Sequence, residues 1–155
     1  MNISPANRLK SFYLPNFMTL DKDKIKQRFA EINESLAEIK RLVALPDKKF
    51  LAKKENMAAV KYYLLQAIEA VGSVCVHIAA KKFNKGISAF GECFETLGQE
   101  GLLSENLTSR LRKMTKFRNK LMHQYWKIDD KNILEYARNE LGDFSEFMKV
   151  VGGLL

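Results

Sequence analysis

From Asp21 onward, apolar residues recur every three or four positions: Ile25, Phe29, Ile32, Leu36, Ile39 and Val43 form one stripe, which Pro46 stops. That period fits the 3.6-residue turn of an α-helix with one face toward a core. A second stripe starts after Phe50 and takes in Met57, Val60, Leu64, Ala67, Ile68, Val71, Cys75 and Ile78 before fading near Lys82. Its length predicts roughly 30 residues of helix, enough to form the spine of a bundle. Asn84-Lys85-Gly86 breaks it, and Ser88 is placed to cap a short helix of Phe90, Phe94 and Leu97 that Gly98 and Gly101 end. Ser104 and Glu105 open a fourth helix through Leu107, Leu111, Met114, Phe117 and Leu121. Asp129 or Asp130 opens a fifth through Ile133, Leu134, Ala137, Leu141, Phe144, Met148 and Val151, with Gly152-Gly153 as its stop. Strand-like alternation is missing, as is any Asn-Gly or Asp-Gly hairpin turn between apolar runs. The expected architecture is all-α, an up-and-down bundle of about five helices.

Residues 1–20 hold Pro5 and Pro15, scattered aromatics and no sustained period, so they read as an N-terminal extension to a helical domain at 21–155. At 155 residues and 46% hydrophobic content, one core is the expectation. The formal net charge of +8 favours a polyanionic partner, nucleic acid or an acidic protein, without choosing between them. Cys75 and Cys93 sit in apolar stretches without the close spacing of a zinc or redox pair and are expected as reduced core residues of a cytoplasmic protein. An uninterrupted run of about 18 apolar residues and a secretory signal core are both lacking, so no membrane partner is expected.

The chemistry concentrates in Phe117-Arg118-Asn119-Lys120-Leu121-Met122-His123-Gln124-Tyr125-Trp126-Lys127-Ile128-Asp129. Imidazole moves protons near neutral pH, and a guanidinium grips phosphate with a planar fork while stabilising charge that grows on it. On an ideal helix Arg118 and Tyr125, seven apart, share a face within about 20°, whereas His123 lies roughly 140° from Arg118. Either the helix unwinds before Asp129 or two copies of the chain supply the groups to one cleft. Lys116 and Lys120, with Arg112, Lys113 and Lys127, supply a positive field for a phosphodiester backbone. Asn119 and Tyr125 are candidate substrate contacts, and Tyr125 and Trp126 are suited to stacking on unpaired bases. The plainer alternative makes Arg118 a solvated cation, His123 a partly buried polar residue and Tyr125 a core aromatic. The other histidine, His77, reads as a hydrogen-bonded structural residue, and Glu69 either orients an active-site cation or is a surface carboxylate. No His and carboxylate cluster has metal-ligand spacing, so neither a metal nor another cofactor is expected.

Arg118-Asn119-Lys120-Leu121-Met122-His123-Gln124-Tyr125 resembles the Arg, four residues, His, one residue, Tyr signature of HepT-like toxins in the HEPN ribonuclease superfamily. Met114 to Phe117, Ile128-Asp129, Tyr63 to Ala70, His77 to Ala80 and the Gly101-Leu102-Leu103 turn are similar as well, over about residues 21–150. The resemblance implies an up-and-down HEPN-like bundle and a homodimer whose signature helices line a shared cleft. It further implies metal-independent cleavage of RNA with Arg118 and His123 as catalytic residues. A cognate nucleotidyltransferase antitoxin that adds AMP to Tyr125 is implied too. The chain departs from the family at Gly72-Ser73 and Val76, where a larger residue with an aspartate and then an asparagine are expected, which puts polar support from the second helix in doubt. The reading from a different class is a non-catalytic HEPN-type module that binds a nucleotidyltransferase or nucleotide, and the third is a plain RNA-binding bundle.

Overall fold

A computed structural model describes residues 19–155. The extension expected at 1–20 therefore lies, apart from Thr19 and Leu20, outside the described residues. Seven α-helices follow: α1 (Lys22–Val43), α2 (Asp47–Leu51), α3 (Lys54–Phe83), α4 (Phe90–Gln99), α5 (Glu105–His123), α6 (Asp130–Asn139) and α7 (Gly142–Gly152), with a 3-10 turn at Tyr125–Lys127 between α5 and α6. No strand occurs among the described residues.

Two of these helices go beyond the five expected. Pro46, which ends the first stripe, stands directly before the short helix α2, whose Phe50 is fully buried. The last stripe divides between Asn139 and Gly142, so Ile133, Leu134 and Ala137 belong to α6 while Phe144, Phe147 and Val151 belong to α7. A period-3.6 stripe survives such a break because both pieces bury the same face.

The remaining boundaries follow from local chemistry. The Asp21 side chain accepts the Lys24 N–H at 3.0 Å and starts α1. Asn84 takes the left-handed conformation, φ 52°, and closes α3, while Gly101 at φ 78° supplies the positive φ of the turn after α4. Ser104 Oγ accepts the Leu107 N–H at 3.1 Å, and an Asp129 carboxylate oxygen accepts the Lys131 N–H at 2.9 Å. Ser88 does not cap α4 as expected. Ala89 holds that position, and the Ser88 hydroxyl donates instead to Glu92 at 2.8 Å, which holds the Glu92 carboxyl below its usual range.

The spine α3 packs along α1 and also against α4, α5, α6 and α7, while α4 lies on α5. Although its apolar run is interrupted by Lys61, Gln66, Glu69, Ser73 and His77, it contains a window long and apolar enough to cross a membrane by length and composition. In this bundle more than half of that window is buried, and those apolar residues form the core. Cys75 and Cys93, expected as separate thiols, are joined as a disulfide between α3 and α4 with a Cα–Cα distance of 6.1 Å. Their separation of 18 residues hid a pairing that only the packing of α4 back on α3 creates. Arg110 binds α5 to α7 through Asp143 and through Glu146 at 2.6 Å, which fixes the axis of the helix carrying the signature.

Candidate functional site

Arg118 continues the inward stripe of Leu111, Met114 and Leu121 on α5, so its side chain heads toward α3 and α4 rather than into solvent and is 20% exposed. There it meets three groups. Its Nε donates to Glu69 Oε1 of α3 at 2.6 Å, its Nη1 donates to Asn119 Oδ1 at 3.2 Å, and its guanidinium carbon stands 5.0 Å from the centre of the Phe90 ring of α4. A guanidinium has five N–H donors, so these contacts orient the fork and leave most of it for an anion. Glu69 is thus a surface carboxylate, 45% exposed, that also pairs with the Arg118 cation. The ion pair is partly solvated, so its worth lies in geometry more than in stability.

His123 is the last residue of α5 and is exposed. On the intervening helix it lies about 140° from Arg118, so one protomer does not aim both groups at one phosphate. Lys116, seven residues before His123, shares its face, and Lys120 lies one turn back from it. Both are exposed. The expected site residues therefore divide into an inner set, Arg118 with Glu69 and Phe90, and an outer set, His123 with Lys116 and Lys120. Asn119 is exposed between them and is linked to Arg118 through its side-chain oxygen.

Tyr125 does not share the Arg118 face, because the helix stops first. Gln124 leaves the α region at φ −136°, ψ 36°, and Tyr125–Lys127 form a 3-10 turn outside α5. The expected unwinding before Asp129 thus occurs, and it carries Tyr125 away from Arg118. Its ring lies instead under the Lys61 ammonium, with Nζ 4.3 Å from the centroid, and it is 45% exposed rather than a core aromatic. Lys61 is buried and pairs with Asp130 Oδ1 at 3.0 Å, so one cation of the spine ties the tyrosine turn to the start of α6. Sequence reasoning missed Lys61, although a lysine between Val60 and Leu64 on a buried stripe was a signal, since a buried charge demands partners.

Behind Arg118 runs a groove of about 400 Å³ lined by Lys24, Glu69, Ser73, His77 and Phe90 among others. His77 is structural here, as expected: its Nε2 accepts the Asp21 N–H at 3.0 Å and holds the entry to α1. Burial and then the nearby Lys24 lower its pKa, only partly countered by Asp21.

The pattern of the family described as Ribonuclease HepT-like matches residues 32–151, which includes the whole of α3, α4 and α5. The chain belongs to the HepT-like family. The tri-AMPylated HEPN toxin of Shewanella oneidensis, solved in complex with MNT antitoxin, superposes with a TM-score of 0.79 at 22% identity, over 84% of this chain and 98% of that one. A toxin-antitoxin structure solved with AMP-PNP gives 0.76 at 22% identity, over 83% and 98%. YutE of Bacillus subtilis, described as a cytosolic protein of unknown function, gives 0.74 at 17% identity, over 88% and 91%. At these identities the likeness establishes the fold, so this HepT-like chain has the helical bundle of the HEPN toxins. No curated protein sequence matches it.

Proposed function

We propose that this chain is a metal-independent endoribonuclease and the toxin of a toxin-antitoxin pair. The observation that carries the reading is the oriented Arg118 guanidinium at the head of an Arg-x4-His-x-Tyr signature in a chain of the HepT-like ribonuclease family. A base removes the 2′-hydroxyl proton of RNA, the resulting alkoxide attacks the adjacent phosphorus, and an acid protonates the departing 5′-oxygen. This leaves a 2′,3′-cyclic phosphate and a free 5′-hydroxyl. His123 moves the proton, and Arg118 holds the phosphate and the extra charge of the five-coordinate transition state. Lys116 and Lys120 draw in the backbone from the outer face, and Asn119 and Tyr125 position the substrate.

The active form is a homodimer. The 140° between Arg118 and His123 is bridged when the arginine of one protomer meets the histidine of its partner, which gives two equivalent composite sites, each with one arginine and one histidine. Exposed apolar side chains on α3 and at the end of α5, Tyr62, Val76 and Met122, supply surface for that contact. A nucleotidyltransferase antitoxin is the further partner. AMP added to the exposed Tyr125 would place a bulky anion beside the cationic face and exclude RNA by size and like charge.

The deciding experiment mixes protomers. Arg118→Ala and His123→Ala homodimers are each expected to cleave RNA at least about 100-fold more slowly than wild type. Co-expressed heterodimers should recover a sizeable part of the activity, because one composite site is intact. Wild-type activity in both single variants overturns the nuclease reading in favour of a binding module. Loss in both without recovery overturns the composite site. Cleavage should persist in excess chelator and cease on RNA with a 2′-deoxy residue at the scissile position.

A further inference from the structure

We infer that Phe90, seated on Gly72, is a positioning residue for Arg118, an inference that rests on the ribonuclease reading above. The first residue of α4 brings its ring down onto the spine at the one place where α3 has no side chain. A Cβ built on Gly72 would lie 1.6 Å from Phe90 Cζ and 2.0 Å from Cε2, so the ring occupies the volume that any other residue at 72 would claim. The register is shared one turn further along: Cys75, three residues after Gly72, is bonded to Cys93, three residues after Phe90. Phe94 closes the far side with an edge-to-face contact at 6.1 Å and itself meets Phe147 of α7 at 6.2 Å. The ring is therefore held by α3 beneath it and by the core behind it.

Its remaining face is turned to Arg118, whose guanidinium carbon stands 5.0 Å from the ring centre. A cation over an aromatic face is attracted by the ring quadrupole, and the contact restricts the plane of the guanidinium without using an N–H donor. Glu69, at 2.6 Å from Nε, restrains the same group within that plane. One partner sets the tilt and the other the rotation, so the terminal nitrogens are aimed before phosphate arrives. A fork aimed in advance loses less freedom when it engages the transition state.

The test uses the full chain, a mixed-sequence single-stranded RNA, and the solvent exchange rate of the Arg118 Nε–H by NMR. Phe90→Leu keeps an apolar plug but removes the ring. It should lower kcat about 3- to 30-fold, leave KM within about two-fold, and speed Nε–H exchange by a similar factor to the kcat loss. Phe90→Tyr keeps the face and should restore both. Gly72→Ala, which drives the ring off its seat, should reproduce the leucine variant. If Phe90→Leu does not fold, Phe90→Met fills the same seat with a flexible chain and is read in the same way. Wild-type kcat and exchange in Phe90→Leu overturn the inference, as does a loss that Phe90→Tyr shares with exchange unchanged. If instead wild type and Arg118→Ala cleave alike, the ribonuclease reading falls, and the exchange rates alone decide whether the ring positions the guanidinium.

Discussion

The two ends of the signature are built in opposite ways. Arg118 is enclosed by its own chain: Glu69 holds its Nε, Phe90 covers its face and Asn119 takes an Nη1 hydrogen. Five residues later His123 stands exposed on the final turn of α5, with Lys116 and Lys120 on the same outer side. A guanidinium that must match a developing charge gains from being fixed beforehand. An imidazole that must reach a substrate atom gains from an accessible position which a second protomer completes. In the proposed homodimer, one short motif would divide its work between the fold of a monomer and the contact between two.

The largest effect should come from loosening the fixed end while its charge is kept. Arg118→Lys retains the cation but cannot serve Glu69 and a phosphate with one planar fork, so kcat is expected to fall about 10²- to 10³-fold. Lys116→Ala and Lys120→Ala, on the open end, should leave kcat unchanged and weaken RNA binding, each lowering the slope of log affinity against log salt by about 1. Steady-state kinetics across a salt series measures both. A tolerated Arg118→Lys beside a kcat collapse in Lys120→Ala would invert the comparison.

A smaller effect should appear in the groove behind the fixed arginine, where His77 must be neutral to accept the Asp21 N–H. Burial and Lys24 place its folded pKa below the usual histidine value, so the unfolded chain binds the proton more readily. The stabilisation is fully present above the unfolded pKa near 6.5 and is lost as pH falls through the lower folded value. Protonation also sets a cation beside Lys24 and Lys81. The loss is about 1 kcal/mol at most, the worth of one partly solvated hydrogen bond. The fall in Tm from pH 7.5 to 5 should therefore be steeper in wild type than in His77→Gln, and equal slopes would remove His77 from that role.

Much of the bundle was legible because its signals are local. The stripes on α1, α3 and α5 and the caps at Ser104 and Asp129 each depend on residues within a few positions of one another, and they appear where expected. The Arg118 to Tyr125 spacing was readable for the same reason, whereas the partner that Glu69 meets, 49 residues away, was left open between two roles. What was not legible depends on the return of one helix against another. The Cys75–Cys93 bond, the Phe90 ring on Gly72 and the Lys61 ammonium over Tyr125 join residues that lie far apart in sequence. The shared face expected for Arg118 and Tyr125 failed because an ideal helix was extended past His123, whereas the chain must turn there for α6 to pack back on α1 and α3.

The smallest effect should come from Tyr136, whose buried hydroxyl has no hydrogen-bond partner among the described residues and whose ring stacks on Phe117 at 4.6 Å, next to Arg118. Burial, reinforced by Asp143 and Glu140, pushes its pKa well above the ordinary tyrosine value. Tyr136→Phe removes an unpaired polar group and keeps the stack, so thermal denaturation should show a gain of up to about 1 kcal/mol with unchanged cleavage. A loss of stability would mean that the hydroxyl is satisfied in solution.

Trp126 follows the signature tyrosine on the same turn, is 77% exposed, and is the sole tryptophan of the sequence. The chain therefore carries an intrinsic fluorophore beside its signature residues, with the red-shifted emission of a hydrated indole. Whatever settles over that turn, whether a second protomer, an antitoxin or a nucleobase, must strip water from the indole and report its arrival as a change of colour or brightness, without any label.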